Sequence, residues 1–548
     1  AGDIYTNIVG GLPLSMDEAW AAAEAAGVAG WCLRTAVDYA KVREQFGKPI
    51  GSFQAIKHLC AEMLCRAELA AAVAWDAAGA TPGTVEVGGL DTTAEDVSLA
   101  AAVAAAVALD AAVLNAQDCI QILGGIGFTW EHDAHLYLRR ALGLRAALGG
   151  TGRWRRLVAD LTLRGTRRRL HVDVDAAQPQ RAGVRQQLAQ IAALPPEQRR
   201  GALADTGLLC PHWPKPYGLD AGPALQLVIE QELQHAGLTR PDLVIGAWAV
   251  PTILRHGTPE QIERFVRPTL TGELVWCQLF SEPDAGSDLA SLRTRAEREP
   301  GGWRLSGQKV WTSVAHRAGR GICLARTDPT APKHAGLTYF LVDMTAPGID
   351  VRPLREITGA ALFNEVFLDG VFVPDEDVVG TVGDGWQLAR ATLGNERVAM
   401  GSSADLGEST ERLVEQVRAH RGPSAETARD LLGGLVAEAL ACSVLDVRAV
   451  VRRLDGLDPG PESSVRKLVG VRNRQAVADA TLHLLADAAH ADDFDDAVDD
   501  TVVDDDAART ESDAWHAALQ TRCLTIAGGT TQVLLSLAAE RILGLPRS

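Results

Sequence analysis

The chain has 548 residues, of which 47% are hydrophobic and 22% charged, and this size and composition predict a globular protein of several domains. The net charge of -17 at pH 7 argues against broad binding to nucleic acids or to anionic membranes, which requires a basic surface. The nine cysteines stand singly, without a Cys-x-x-Cys pair, and predict buried thiols in a reducing cytoplasm and no metal site. We also expect no signal peptide and no membrane-spanning helix.

Helical periodicity covers the first half of the chain. Residues 15–150 are rich in alanine and have apolar residues spaced by three and four, which predicts helices. Residues 152–183 are rich in Arg, Asp, Gln and Pro and are predicted to form a linker. Residues 184–275 are again helical, with breaks at the prolines of 195–196 and 213–216.

The spacing of apolar residues is no longer helical between residues 276 and 380, where Thr338–Val342 and Val366–Leu368 are typical of strands. From Asp384 the pattern is helical, apart from an Asp-rich run between residues 492 and 506. A run of like charge indicates a solvated loop, and the regular spacing of a calcium-binding EF-hand is absent from it.

Two short segments carry most of the chemical information. Gln278–Asp288 and Gly307–Ser313 are predicted to lie at neighbouring strand ends, with a turn at Pro300–Gly302 between them. They gather small hydroxyl residues, free backbone N–H groups and the indole of Trp311. Such a set can hold a planar, polar, redox-active ring.

These segments resemble the flavin-binding middle domain of acyl-CoA dehydrogenases. Phe363–Pro374 is similar to the exit from that domain, and Gly529–Gly544 is similar to the family's C-terminal signature. The resemblance implies an N-terminal helical domain at residues 184–275, a β-barrel-like middle domain at 276–383 and a C-terminal helical domain at 384–548.

The first part of the chain resembles the same family again, but only its C-terminal domain. Arg43–Ile50 and Gln121–Phe128 carry this second resemblance, which covers residues 1–151. Together the two resemblances imply a mainly α fold with a central β-barrel-like domain. They also imply that a second C-terminal-type helical bundle precedes the complete unit, and that the two parts pack as an intrachain pseudo-dimer.

In this family, the Arg-x-x-Phe-Gly and Gln-x-x-Gly-Gly segments of one subunit hold the adenine-diphosphate end of its partner's FAD. Arg43 offers a forked cationic donor to a pyrophosphate, and Gln121 offers both a donor and an acceptor. Gly124 and Gly125 let a ligand approach the backbone closely. If only one motif were present, a structural role would explain it better than cofactor binding: a helix C-cap at Gly124, or a surface arginine at Arg43. The presence of both motifs at the spacing of the family favours cofactor binding.

The second half of the chain lacks both segments, although it has the whole flavin-ring pocket. The two halves are therefore complementary, and the resemblance implies one composite FAD site per chain. Split sites of this kind are similar to those of the heteromeric and fused acyl-CoA dehydrogenases of actinobacterial steroid side-chain degradation.

The reaction of the family needs a carboxylate that removes the α-proton of an acyl-CoA thioester. In most members this glutamate directly precedes Gly-Thr in the C-terminal loop, but here the position holds Gly528, and Leu148 in the first half. A subset of the family carries the base on the first long helix of the C-terminal domain, before an arginine. Glu396, followed by Arg397, is then the catalytic base. The alternative is that Glu396 lies on a helix surface and pairs with a side chain one turn away, at i,i+4.

The remaining roles follow from the resemblance alone, and no metal site is implied. The residues expected to bind the cofactor are Arg43, Gln45, Phe46, Gln121, Gly124, Gly125, Ser281, Gly286, Ser287, Trp311, Thr312, Ser313, Thr530 and Gln532. The residues expected to bind the substrate are Ser287, Arg397 and Gly528, the last through backbone N–H groups near the thioester carbonyl.

The function implied is FAD-dependent α,β-dehydrogenation of an acyl-CoA, with a steroid side chain as the preferred acyl group. An acyl-CoA oxidase that uses oxygen and a non-catalytic scaffold of the same family remain alternatives. The expected partners are the acyl-CoA substrate and an electron-transfer flavoprotein as electron acceptor, in a homodimer of fused chains in the cytoplasm.

Overall fold

A computed structural model describes residues 16–80, 93–168, 174–399, 406–420, 424–454, 462–492 and 505–547. The chain forms two compact units, Ala1–Val172 with Gly401–Ser548 as unit 1 and Asp173–Met400 as unit 2. Most of the Asp-rich run predicted to be a solvated loop lies outside the described residues.

The helices account for most of the described chain. In chain order they are α1 (Met16–Val42), α2 (Gln54–Gly79), α3 (Ala94–Leu123), α4 (Ala134–Ala147), α5 (Thr151–Leu163), α6 (Gln178–Ala192), α7 (Pro196–Asp205), α8 (Pro223–His235), α9 (Gly246–His256), α10 (Pro259–Thr271), α11 (Gly385–Ala399), α12 (Glu408–Ala419), α13 (Ala425–Leu454), α14 (Glu462–Asp492), α15 (Asp505–Gln520) and α16 (Thr531–Arg541).

The strands form a short hairpin and one larger sheet. They are β1 (Glu44–Gln45), β2 (Lys48–Pro49), β3 (Trp276–Leu279), β4 (Arg295–Glu299), β5 (Gly302–Ser313), β6 (Arg320–Arg326), β7 (Leu337–Asp343), β8 (Ile349–Pro353), β9 (Phe363–Pro374) and β10 (Val378–Val379). The helix, strand and helix order of the complete unit confirms the fold that the resemblance implied.

Unit 1 contains two helical bundles, which we call the first bundle (α1–α5) and the second bundle (α12–α16). Both contribute to one continuous hydrophobic core. Helix α2 packs against α13, α14 and α16, and α5 packs against α13. A pairing of two C-terminal-type bundles within one chain was expected from the sequence.

The predicted linker, residues 152–183, is wrong over its first part, because Thr151–Leu163 forms α5. The arginines of this segment suggested a polar linker. Between them, however, Trp154, Val158 and Leu161 lie at helical spacing and are buried in the core of unit 1. The Trp154 indole N–H also donates to the Leu148 carbonyl at 3.0 Å, which fixes the turn before the helix.

The segment Ala94–Phe128, which contains α3, is long and apolar enough to cross a membrane, contrary to the expectation from the sequence. However, 72% of its most apolar stretch is buried inside the structure, against α1, α2 and α5. A capping box of Thr93 with Asp96 begins the helix. The burial identifies α3 as a core helix of unit 1.

Unit 2 places the helices α6–α10 before an eight-stranded sheet and α11 after it. The strand order is β10-β7-β6-β4-β5-β9-β8, and β3 pairs in parallel with β6. Separate apolar clusters lie on the two sides of this sheet, one with Phe280 and Tyr339 and one with Trp303 and Phe340. The antiparallel pair β5–β9 is irregular between Lys309 and Thr312, close to the end of β5.

Candidate active site

In unit 2, the two predicted segments meet where β3 and β5 end. The backbone N–H of Val310 donates to the Ser281 carbonyl at 2.9 Å, which ties the loop after β3 to β5. Glu282 and Ala285 exchange two backbone hydrogen bonds of 3.1 Å and close the turn of that loop. Ser281 therefore lies beside the strand end that carries Trp311–Ser313.

A buried ion pair reinforces this junction. The Lys309 ammonium donates to the Glu282 carboxylate at 2.9 Å, and also to the carbonyls of Phe280 at 3.2 Å and Leu324 at 2.8 Å. All three ammonium protons have partners, and the lysine is fully buried, with 0% exposure. Such a charge is tolerated in a protein interior only when it is paired and hydrogen-bonded.

The Glu282 carboxylate has donors besides the lysine. It accepts from the backbone N–H groups of Arg293 at 2.6 Å and Thr294 at 2.8 Å, and from the Thr294 hydroxyl at 2.5 Å. Burial opposes its charge, but Lys309 and these donors outweigh the burial and hold the pKa of the Glu282 carboxyl below its ordinary value. The loop after β3 is thus fixed to both β5 and the start of β4.

Trp311 has an unusual backbone at the end of β5. Its φ is +59°, in the left-handed region, and its side chain is 63% exposed. The indole contacts Phe363 edge-on, with ring centroids 6.4 Å apart. A bulky residue in this region costs roughly 1–2 kcal/mol, and such strain is concentrated at functional positions.

The neighbouring hydroxyl groups fit a polar ring. Thr312 is buried, and its Oγ1 has no hydrogen-bond partner in the described part of the chain. Its carbonyl accepts from the Asn364 side-chain amide at 3.0 Å, which holds it in place. Ser281 and Ser313 are half-buried, whereas Gly286 and Ser287 are exposed. A Cβ on Gly286 would meet no atom within 4 Å, so there is room for a ligand at this glycine.

Glu396 and Arg397 lie near the end of α11 in unit 2, and the structure describes only their helical backbone. One turn earlier, the Thr392 hydroxyl is buried between three elements. It lies 2.9 Å from the Thr252 hydroxyl of α9 and 3.2 Å from the Tyr339 hydroxyl of β7, and it donates to the Leu388 carbonyl at 3.1 Å. Burial raises the pKa of the Tyr339 phenol, which stays protonated. These contacts fix the helix that carries Glu396.

In unit 1, Arg43, Gln45 and Phe46 belong to the turn and hairpin that follow α1. The Arg43 backbone N–H donates to the Tyr39 carbonyl at 2.8 Å, and its carbonyl accepts from Ile50 at 2.7 Å. Phe46 has a φ of +56° and is 94% exposed. The Arg43 side chain is exposed and makes no ion pair with a residue that the structure describes. The hairpin therefore exposes both the Arg43 guanidinium and the Phe46 ring, which contacts Phe53 edge-on with centroids 6.0 Å apart.

Gln121, Gly124 and Gly125 lie at the end of α3. Gly124 is the C-cap of this helix, with a φ of +67°. The helix C-cap that was the alternative to a cofactor role is therefore present in the structure. A Cβ on Gly125 would contact nothing within 4 Å, and Gln121 is exposed. Gly124 thus ends the helix, while the backbone at Gly125 remains open to a ligand.

Gly528, Thr530 and Gln532 lie at the start of α16. Gly528 and Gly529 have φ values of +63° and +104°, and Thr530 caps the helix by accepting from the Val533 N–H at 3.4 Å. Gln532 is exposed. Because Thr530 already acts as the cap, its role toward a cofactor rests on the resemblance.

Each unit therefore carries one part of the predicted site. Unit 2 joins Ser281 to the end of β5, whereas unit 1 carries the two motifs of the first bundle and the loop before α16. The sequence interpretation missed the Lys309–Glu282 pair, although a lysine among the apolar residues of a strand was a signal for a buried partner. The described residues contain no cluster of acidic, histidine or cysteine side chains that could hold a metal.

Comparison with family models reproduces this organisation. The model of the acyl-CoA dehydrogenase C-terminal domain matches residues 14–162 and again 383–543. The middle-domain model of the same family matches residues 277–371, and the N-terminal-domain model matches residues 178–273.

Several acyl-CoA dehydrogenases are among the proteins with similar sequences or structures. Acyl-CoA dehydrogenase FadE34 of Mycobacterium tuberculosis is 60% identical over 526 residues, which is 96% of this chain and 70% of that protein. Acyl-CoA dehydrogenase IpdE1 of the same organism is 34% identical over 64% of this chain and 89% of that protein. The solved Tcur3481-Tcur3483 steroid ACAD has 27% identity and a TM-score of 0.55, over 69% of this chain and 100% of that chain. The ChsE4-ChsE5 complex from M. tuberculosis has 25% identity and a TM-score of 0.51, with the same coverage.

Proposed function

The chain belongs to the acyl-CoA dehydrogenase family, and we propose that it catalyses the α,β-dehydrogenation of an acyl-CoA thioester. It is an FAD-dependent oxidoreductase by this membership. The observation that carries the proposal is the junction of β3 and β5, where the Lys309–Glu282 pair joins the loop of Ser281 to the strand that carries Ser313 and the strained Trp311.

FAD, when bound, accepts the β-hydrogen of the substrate as a hydride. The chain's own residues would hold and orient it. Ser281, Thr312 and Ser313 would hydrogen-bond the flavin, and the Trp311 indole would pack against it. The Thr312 Oγ1, which has no hydrogen-bond partner among the described residues, and the open space at Gly286 support this fit. Ser287 would contact both the flavin and the pantetheine arm of the substrate.

Glu396 would remove the α-proton, because the usual position of the base is occupied by Gly528. A carboxylate in a dry pocket has a raised pKa and is then a competent base near neutral pH. The hydroxyl contacts of Thr392 support a fixed position for its helix. Arg397 would meet the CoA nucleotide, and backbone N–H groups near Gly528 would polarise the thioester carbonyl.

The first bundle would bind the adenine-diphosphate part of FAD. Arg43 and Gln121 would supply donors to the pyrophosphate, Gly124 and Gly125 would allow it to approach the backbone, and the neighbouring Phe46 would cover it. Gln45, Thr530 and Gln532 complete the cofactor contacts that we propose.

For the substrate we propose a steroid-derived acyl-CoA. What supports this choice is the likeness to the solved Tcur3481-Tcur3483 steroid ACAD. We further propose an electron-transfer flavoprotein as the electron acceptor, a homodimer of this chain as the assembly, and a cytoplasmic location. An acyl-CoA oxidase that uses oxygen and a non-catalytic scaffold are the competing functions.

A turnover panel tests the proposal. Purified protein would be mixed with linear, branched and steroid acyl-CoAs and an artificial electron acceptor. We expect acceptor reduction with at least one class, fastest with the steroid thioesters. Oxygen consumption without an added acceptor would identify an oxidase instead. A colourless protein that takes up no FAD would favour the scaffold.

A further inference from the structure

Near its end, strand β5 has one residue more than the stretch of β9 that pairs with it. Lys309 pairs with Val366 and Thr312 pairs with Asn364, so that three steps along β5 match two steps along β9. This irregularity is a β-bulge, and it contains Trp311. A bulge turns a side chain away from the direction it would have in a regular strand, and bulges are frequent beside active sites. The direction of the Trp311 indole therefore depends on how the bulge is held.

The backbone is strained at the bulge and just after it. Trp311 and Val314 have φ values of +59° and +51°, both in the left-handed region. This region is unfavourable for a bulky or a β-branched residue. Such conformations persist only where the surrounding structure determines them. Ser313, which we propose as a flavin contact, stands between these two residues, so the contacts that hold them also fix its position.

Asn364, on the neighbouring strand β9, supplies such contacts. It is fully buried, and its side-chain amide nitrogen donates to the Thr312 carbonyl at 3.0 Å and to the Leu362 carbonyl at 3.2 Å. The Leu362 carbonyl also accepts from the Val314 backbone N–H at 3.0 Å. A single amide group therefore joins the residue after Trp311 to the carbonyl that holds Val314.

The surroundings of this amide determine its orientation. The two carbonyl oxygens account for both hydrogens of the amide nitrogen, whereas the inverted amide would place Oδ1 against the same two oxygens. The His316 ring lies on a third side, with its Nδ1 3.4 Å from the amide nitrogen. In the described part of the chain, the Asn364 Oδ1 has no hydrogen-bond partner. The function of the side chain at this place is thus to donate hydrogen bonds.

We propose that Asn364 is a positioning residue of the flavin site. Through the carbonyls of Thr312 and Leu362, its amide holds the bulge in the conformation that directs the Trp311 indole and the Ser313 hydroxyl toward the flavin. The inference rests on the proposed function, because it requires the flavin ring to bind at the junction of β3 and β5.

Hydrogen exchange of the full chain, measured by mass spectrometry without added FAD, tests whether Asn364 holds the bulge. Asn364→Leu keeps the branched shape of the side chain but removes both donors. We expect the backbone amides of residues 310–316 to exchange faster, on the order of tenfold, with little change in β7. Asn364→Ser, which keeps one donor, should give a smaller increase. Wild-type exchange at 310–316 in Asn364→Leu would overturn the proposal.

The absorption spectrum of bound flavin tests whether the bulge positions the cofactor. A residue that affects only stability leaves this spectrum unchanged once the protein is saturated with FAD. For Asn364→Leu we expect shifted flavin absorption bands and an FAD affinity lower by about tenfold, with Asn364→Ser between this variant and wild type. A wild-type spectrum in saturated Asn364→Leu would overturn the proposal, even if exchange at 310–316 were faster.

Asn473 on α14 provides a matched control in unit 1. It is also buried, and its side-chain amide donates to the Leu435 carbonyl at 3.0 Å and to the Glu438 carboxylate at 3.1 Å. Asn473→Leu should lower the unfolding temperature but leave both the exchange at 310–316 and the flavin spectrum at their wild-type values. Equal spectral shifts in Asn473→Leu and Asn364→Leu would show that the effect is not specific to the bulge.

The same experiments separate this inference from the proposed function. Wild-type protein that takes up no FAD would contradict the proposed function, and the positioning role of Asn364 with it. Wild-type protein that binds FAD, together with an Asn364→Leu variant of unchanged flavin spectrum, would contradict the positioning role alone.

Discussion

Glu396 is the residue on which the proposed proton abstraction depends. It lies one turn after Thr392, whose hydroxyl contacts reach α9 and β7. The loop before α16, which carries the base in most of the family, has Gly528 and Gly529 in left-handed conformations and no carboxylate. For this reason the proposal places the base on α11.

Replacement of Glu396 by Gln should leave FAD binding intact and remove α-proton abstraction, because the amide nearly keeps the shape but cannot accept the proton. We expect a loss of about 10²–10⁴ in rate. The measurement is anaerobic bleaching of the flavin absorbance after mixing with a competent acyl-CoA. Glu263→Gln, an exposed change on α10, is the control. If the flavin of Glu396→Gln is bleached at the wild-type rate, another residue must be the base.

The Arg43 side chain is exposed, and it forms no ion pair with any residue in the described part of the chain. Arg43→Ala should weaken FAD binding by roughly 1.5–3 kcal/mol, the usual contribution of a hydrogen bond to a charged group. Fluorescence titration of the apoprotein with FAD measures this. Arg34→Ala, an exposed change on the preceding helix α1, should have no effect. Equal affinities of Arg43→Ala and wild type would remove Arg43 from the cofactor site.

The Lys309–Glu282 pair makes stability depend on pH. The Glu282 carboxyl has an ordinary pKa of 4.5 and a lower pKa in the folded protein. Its contribution is therefore fully present above pH 4.5 and is lost as the pH falls through the folded-state pKa. Glu282→Gln should lower the unfolding midpoint at pH 7, by an amount that shrinks below about pH 4.5.

Urea unfolding of wild type and Glu282→Gln at pH 7, 5, 4 and 3 would follow this difference. Glu263→Gln, whose carboxylate is exposed, serves as the control and should show a small difference at every pH. A constant difference between Glu282→Gln and wild type across the series would contradict the depressed pKa.

At the scale of elements, helix α11 depends on buried hydroxyls for its position. Thr392→Val keeps the side-chain volume but leaves the Thr252 and Tyr339 hydroxyls without this partner, at a cost of about 1–3 kcal/mol for each group left unsatisfied. We expect a lower unfolding temperature and a lower kcat, with FAD binding retained. Thr481→Val on α14, whose hydroxyl donates only to the Val477 carbonyl of its own helix, is the control. An unchanged kcat in Thr392→Val would show that the network does not position Glu396.

Helices and strands were predicted correctly where their apolar residues follow a regular spacing. The Ala-rich helices and strands β7 and β9 were predicted, and the turn of Pro300 and Gly301 does separate β4 from β5. Helix α5 was missed because three arginines surround its apolar stripe of Trp154, Val158 and Leu161. The Lys309–Glu282 and Thr392–Tyr339 contacts were missed because their partners lie 27 and 53 residues apart, a separation that only tertiary packing closes.

At the scale of the whole molecule, the chain repeats one domain type and uses the copies differently. The C-terminal-domain model matches twice, whereas the middle-domain model matches once. The first bundle keeps Arg43 and the Gln121–Gly125 segment, and the second bundle has neither motif. The sequence therefore has one copy of each motif to which we assign FAD binding.

We accordingly expect one FAD per chain. The purified protein would be saturated with FAD, freed of excess cofactor, and its flavin absorbance compared with the polypeptide concentration from amino-acid analysis. A ratio near one is expected, because we propose one flavin-ring site, at the junction of β3 and β5, and one pyrophosphate-binding motif, at Arg43. A ratio near two would show that one bundle holds a second flavin without these residues. Arg43→Ala, measured in parallel under dilute conditions, should retain less FAD than wild type, which links the single cofactor to the first bundle.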